Sequence, residues 1–229
     1  MSLRRPDRAE DAARAPLHVL GASGHAKVVI AAVRAAGLEV EAVYDDDPAR
    51  LGGHTLGAPV AGPIGAVRPG APAVAALGDN AVRRRVVAQL APLRLRWQRV
   101  VHPHAWVSPD ATVEPGAVVC AGAVVQPGAT VGAHAIVNTG ATVDHDCVVG
   151  PFAHVAVGAH LAGAVTVGEG VLVGAGAVVV QCVSIGPWST LGAGAVCLHD
   201  LAERVVAVGV PARAHPARPT GAPRDEGST

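Results

Sequence analysis

The sequence predicts a small parallel α/β domain over residues 17–100, followed by a parallel β-helix over residues 101–212. Two observations carry that reading. Every sixth residue from Val101 to Leu191 is aliphatic, without a missed step. Ahead of that run, strand-like and helix-like stretches alternate, and the strands run out into Gly- or Asp-rich loops.

The repeat excludes the ordinary elements. An α-helix has a period of 3.6 and a single strand a period of 2, so a strict six requires short strands joined by corners. The residue four beyond each aliphatic is nearly always small, as at Ala117, Ala123, Ala129, Ala135, Ala141 and Cys147. Both positions can point inward, with turns at the Gly- and Pro-rich positions between them. Three hexads close a triangular coil, with the next coil stacked ~4.8 Å above it. The pattern resembles the hexapeptide-repeat family, and that resemblance implies a left-handed coil, an exception to the usual right-handed crossover.

Composition agrees with many small, equivalent packing sites. Half of the 229 residues are apolar but only 2% are aromatic, so Val and Ala must fill the core. Lys plus Arg equals Asp plus Glu at 18 each, which gives no reason to expect nucleic acid or an anionic membrane surface as a partner. No apolar run reaches ~18 residues, so no membrane span is expected. The N-terminus lacks the apolar core of a secretory signal. Residues 1–16 and the Pro-rich residues 213–229 are expected to be disordered tails. Cys120, Cys147, Cys182 and Cys197 show no C-x-x-C spacing and fit reduced thiols in a cytoplasmic protein.

In the first domain, HVLGASGH is a strand entering a Gly-rich turn, and AKVVIAAVRAAG is a helix stopping at Gly37. Glu39 to Tyr44 forms a second strand and AVAALGDN a third. Asp79 or Asn80 caps the helix AVRRRVVAQL, and LRLRWQRV alternates as a fourth strand. In such domains ligands sit beyond the carboxyl ends of the strands, here Gly21–His25, Asp45–Asp46 and Gly78–Asn80. The turn GASGHA is not a full G-x-G-x-x-G. It would still let backbone N–H groups approach a phosphate at a helix start, and Asp45 or Asp46 could bind a ribose or base. Ordinary turn chemistry accounts for the same residues equally well.

With GASGHAKVV, VYDDD, ALGDN, VVHPHAWVSPDATV, NTGATVDHDCVVG, HVAVGAHLAG and VGVPAR in view, the chain resembles the sugar O-acyltransferase family of the sialic-acid O-acetyltransferase type. That family includes N-acetyltransferases acting on nucleotide-linked 4-amino-4,6-dideoxy sugars, of the bacillosamine and perosamine type. The resemblance spans about residues 17–213. It implies a homotrimer, with acetyl-CoA along the β-helix at subunit interfaces and the nucleotide-linked amino sugar held partly by the first domain. It places a catalytic base at His145 and a supporting carboxylate at Asp146. His154, Ala175 and Ala193 map to acetyl-CoA contacts. Ser23, Gly24, His25, Asp45, Asp46 and Gly78 map to nucleotide-sugar contacts. Relatives can carry Glu where this chain has Asp146, and the shorter arm is expected to weaken its hold on the imidazole.

The chemistry fits those assignments. Acyl transfer from a thioester needs a neutral nucleophile, a proton acceptor and stabilisation of an oxyanion. An imidazole with a reference pKa of ~6.5 is mostly neutral at pH 7. His145 occupies a corner position of its hexad, and no covalent nucleophile is required. Eighteen residues on, Gly163 lies one coil above, within ~5 Å, where its N–H could receive the oxyanion. His154 is half a coil round from His145, so the two can meet only across a subunit interface. His134, His160 and His199 are expected to be solvated corner residues, and His102 and His104 to be structural. The rivals are O-acetylation of a sugar hydroxyl, a non-catalytic nucleotide-binding scaffold, and a metal enzyme like the γ-class carbonic anhydrases with His145, His154 and His160 as ligands. No metal is expected.

Overall fold

The computed structural model describes residues 15–216. Residues 1–14 and 217–229, the greater part of the expected tails, lie outside the described residues.

The first domain is a six-stranded sheet flanked by two helices. Strands β1 (Leu17–Leu20), β2 (Val40–Tyr44), β3 (His54–Thr55), β4 (Ala58–Gly62), β5 (Pro72–Ala75) and β6 (Arg96–Trp97) lie in the order β3-β4-β2-β1-β5-β6. Only the β3–β4 pair is antiparallel. Helix α1 (Gly24–Ala35) buries Ala26, Val29, Ile30, Ala32 and Val33, spaced as one apolar stripe. Helix α2 (Asn80–Gln89) is capped by Asp79, whose carboxylate accepts from Val82 N at 2.8 Å. The segment LRLRWQRV is not one strand. It breaks after Trp97, and Val100–Val101 already belongs to the first coil of the β-helix.

From Val100 the chain winds into two-residue strands that pair in parallel with the strand eighteen residues on: Val118 with Ile136, Val124 with Thr142, Thr130 with Val148. Three faces result, carrying eight, six and five strands. The fold is the left-handed β-helix of the hexapeptide repeat. The aliphatic series from Val113 to Leu191 and the small series from Ala117 to Ala159 both point inward and are buried. Fully burying a valine contributes roughly 1.5–3 kcal/mol, so the core gains its stability by repetition rather than from aromatic bulk.

Each corner turns through a left-handed residue three beyond the aliphatic one, with φ between 57° and 78° from Gly116 to Gly194. Glycine fills most of these positions. His134, Asp146, Phe152 and Trp188 fill others, and each folds its side chain against a neighbouring coil.

After the last full coil, Val205–Val208 joins the eight-stranded face, and Arg213–Pro216 pairs with it antiparallel. Residues 213–216 therefore belong to the folded unit and not to a tail. The backbone groups of Val205–Val208 would otherwise present an open sheet edge, and this short strand covers them.

Candidate active site

The N-terminal half of the site forms where β1, β2 and β5 end side by side. Gly21 leaves β1 with φ +107, and a Cβ there would sit 2.8 Å from Leu77 and 2.9 Å from the Ala76 carbonyl, so only glycine lets the two loops meet. Ser23 occupies the N-cap position of α1 but makes no capping bond, which leaves its hydroxyl free at the helix N-terminus beside Gly24 and His25. Asp45 accepts from Ala22 N at 2.6 Å through one oxygen and from Asp47 N at 2.9 Å through the other. It ties the Gly-rich turn to the end of β2, so its first role is to shape the loop. Asp46 uses Oδ1 to hold Ile64 N at 2.9 Å and is otherwise exposed.

Gly78 follows β5, packed beneath the His25 side chain. Its carbonyl faces His154 Nδ1 at 3.3 Å, and the His25 and His154 rings lie 6.1 Å apart. Burial, reinforced by the Arg83 charge, pushes both imidazoles down to about 4. The structure thus joins His154 to the loops that follow β1 and β5. Its other nitrogen contacts Asn138 Nδ2 at 3.0 Å. With both ring nitrogens engaged by protein groups, His154 has no lone pair to give a metal. Ala175 and Ala193 are exposed on the next corner, in one column with Thr139 and Val157, joined by backbone bonds from Gly176 N to Val157 O and from Gly194 N to Ala175 O.

His145 stands elsewhere, on the corner between the Thr142–Val143 and Val148–Val149 strands. Asp144 Oδ1 accepts from His145 N at 2.7 Å and shapes the turn. Asp146, with φ +59, aims its carboxylate back so that Oδ2 meets His145 Nδ1 at 2.9 Å. Its shorter arm therefore still reaches the ring, contrary to the expectation of a weakened hold. The carboxylate can only accept, which fixes the proton on Nδ1 and leaves Nε2 bare. The bond to Asp146, with help from the Asp144 charge, raises the His145 pKa above its usual value. Gly163 lies under the ring: a Cβ at that position would be 2.5 Å from His145 Nε2.

The other histidines divide. His134 is buried, stacked on Phe152 at 5.2 Å and met edge-on by Trp97 at 4.7 Å, so it is a packing residue and not a solvated corner. The apolar neighbours that bury it come from residues 37 positions before and 18 after, which no local pattern reveals. His160 is exposed and bonded to Thr142 Oγ1, and His199 is exposed. His102 Nδ1 accepts from His104 N at the junction.

Two family models match the chain. The PglD N-terminal domain covers residues 16–90, and the bacterial transferase hexapeptide of six repeats covers 164–199. Among solved structures, the perosamine N-acetyltransferase PerB of Caulobacter crescentus, in complex with CoA and GDP-perosamine, is 37% identical. It is matched over 89% of this chain and 98% of its own, with a TM-score of 0.82. The chain belongs to the hexapeptide-repeat acyltransferases of the PglD type. The acetyltransferase domain of PglB from Neisseria gonorrhoeae, in complex with acetyl coenzyme A, is 38% identical to this PglD-type acyltransferase. The match covers 87% of this chain and 98% of that one at a TM-score of 0.82. WeeI from Acinetobacter baumannii is 25% identical at a TM-score of 0.79, over 87% and 99%. No curated protein sequence matches this chain.

Within this acyltransferase the His145 corner and the Gly78 loop lie on different sides of the β-helix, as the half-coil offset predicts. Arg83 was the residue that sequence reading missed. It is almost fully buried and donates to carbonyls of both domains, and its only signal was its place four residues after the N-cap Asp79 of ALGDN.

Proposed function

We propose that the chain transfers the acetyl group of acetyl-CoA to the 4-amino group of a nucleotide-linked 4-amino-4,6-dideoxy sugar. The observation that carries this reading is the His145 arrangement: a fixed Nδ1–H bond to Asp146, a bare Nε2, and Gly163 directly beneath it. The relatives that bind CoA with GDP-perosamine, or acetyl coenzyme A, supply the substrate class.

The sugar amine attacks the thioester carbonyl carbon. His145 Nε2 takes the proton that the nitrogen loses, and the Asp146 carboxylate stabilises the imidazolium. The oxyanion is received by the Gly163 N–H, which makes no hydrogen bond among the described residues. Collapse breaks the C–S bond, and the imidazolium returns its proton to the departing thiolate. The products are the N-acetylated sugar and CoA.

Ser23, Gly24, His25, Asp46 and Gly78 hold the nucleotide sugar in this scheme, with Asp45 shaping their loop. His154, Ala175 and Ala193 border the acetyl-CoA path. The base and the sugar loop of one chain face different ways, so the site is completed by a neighbouring subunit of a homotrimer. Exposed Val148 and Val157 supply apolar surface for that contact. Among the described residues no helix is long and apolar enough to cross a membrane, and the four free cysteines suit the reducing cytoplasm.

Thiol release from acetyl-CoA, measured with UDP-, dTDP- and GDP-linked 4-amino-4,6-dideoxy sugars and with sialic acid as hydroxyl control, tests the substrate assignment. Turnover on an amino sugar is expected. Turnover on sialic acid alone would transfer the protein to the O-acetyl branch.

A further inference from the structure

Arg83 is 1% exposed, yet among the described residues no carboxylate pairs with it. Its guanidinium is satisfied by carbonyls instead. Nε donates to His134 O at 2.9 Å. Nη1 donates to Leu77 O at 2.7 Å and Gly78 O at 3.3 Å. Nη2 donates to Phe152 O at 2.7 Å, Ala153 O at 3.4 Å and Asn80 Oδ1 at 2.9 Å. One planar fork thus clamps the end of the β5 loop to two successive coils of the β-helix. Asn80 adds a third coil through Gly170 O and Val171 O, both at 3.1 Å.

A buried, unpaired charge is an expensive way to join two domains, because an apolar contact would serve at lower desolvation cost. What the fork achieves is geometric. A guanidinium presents five donors in fixed directions, so it sets the orientation of the carbonyls it holds. One of those carbonyls, Gly78 O, also receives His154 Nδ1. Asn138 Oδ1 accepts from Thr139 N at 2.8 Å, which turns its NH2 group toward His154 Nε2. His154 must then carry its proton on Nδ1 and donate it to Gly78 O. Arg83, Gly78, His154 and Asn138 form one chain of bonds from the end of β5 to the corner carrying Thr139, Ala175 and Ala193.

We propose that Arg83 is a positioning residue for acyl transfer, holding the Leu77–Gly78 loop against the β-helix so that His154 and the nucleotide-sugar contacts share one fixed geometry. The proposal rests on the N-acetyltransferase reading for its kinetic consequence alone. The buried cation also opposes protonation of His25 and His154, which keeps the junction free of further charge.

The test uses the full chain with Arg83→Lys, which keeps charge and stem but loses the fork, and the milder Asn80→Ala. The exchange-protected Nδ1–H resonance of His154, assigned by its loss in His154→Gln, is expected in the wild type. It is expected to be lost to solvent exchange in Arg83→Lys and weakened in Asn80→Ala. With the amino sugar that the wild type turns over fastest, KM for the sugar is expected to rise at least ~10-fold in Arg83→Lys. A folded Arg83→Lys protein that keeps the His154 resonance, or keeps its sugar KM within about twofold, overturns the proposal. If Arg83→Lys does not fold, an unchanged His154 resonance in Asn80→Ala overturns it. A wild type silent on every acceptor defeats the N-acetyltransferase reading instead, while the resonance comparison still decides the role of Arg83.

Discussion

His145 donates through Nδ1 to Asp146 Oδ2 at 2.9 Å, and its opposite nitrogen overhangs Gly163, one coil further along the β-helix. The carboxylate sets the tautomer, and the missing side chain of the glycine makes room for the imidazole.

The first consequence is a pH profile. A general base works when neutral, so kcat/KM should rise with pH through the His145 pKa. The Asp146 bond places that pKa above the ordinary 6.5. Asp146→Ala removes the bond and the nearer charge, so the acid limb should move down toward 6.5 while kcat falls about 10-fold or more. A kcat/KM profile of both proteins checks this. An unmoved limb would mean that another group titrates.

Gly163→Ala should be damaging without unfolding the protein. The new methyl would meet the imidazole at 2.5 Å, and the ring, exposed on its corner, is free to swing away. Turnover should fall at least ~10-fold, with the melting temperature within a few degrees of wild type. Wild-type turnover would show that neither the ring position nor the Gly163 N–H matters.

Acid should loosen the domain junction. His25, His134 and His154 titrate near 4 in the folded chain, against 6.5 unfolded, chiefly because they are buried. The unfolded chain therefore binds more protons between those values. Stability is full above pH ~6.5 and is lost as pH falls toward 4, on the order of 1–3 kcal/mol per histidine. Urea melts from pH 7.5 to 4.5 should show a falling midpoint, and His134→Phe should flatten the fall.

Because the His145 corner and the Gly78 loop lie on separate faces, the proposed roles of base and sugar loop predict complementation. Co-expressed His145→Ala and His25→Ala chains should form mixed trimers in which some sites combine an intact base from one chain with an intact loop from the other. Activity should return to a fraction of wild type, while each variant alone should show almost none. Mixed trimers with no activity would place both groups of a site in one chain.

The β-helix was legible because its physics is periodic. One inward position per hexad must be aliphatic in every coil, so Val113 to Leu191 stand out in the sequence and are buried in the fold. The DHDC corner was singled out through resemblance alone; the 2.9 Å bond between His145 and Asp146 comes from the left-handed turn at Asp146, which no sequence pattern reveals. What escaped depends on partners distant in sequence. Arg83 looks like one of three surface arginines until its acceptors at His134, Phe152 and Ala153 are in place. The β3–β4 hairpin escaped because its turn places Leu56, an uncommon residue for left-handed backbone, beside Gly57. The break within LRLRWQRV escaped because Trp97 and Val100 both look like strand residues, yet they pair with different sheets.

The most direct test of the account is steady-state acetyl transfer to the preferred nucleotide-linked 4-amino sugar by the wild type and by His145→Ala, read as CoA thiol release. With His145 Nε2 as the base, kcat should fall about 10²- to 10⁴-fold while KM for acetyl-CoA stays nearly constant. Equal turnover by the two proteins would contradict the central claim.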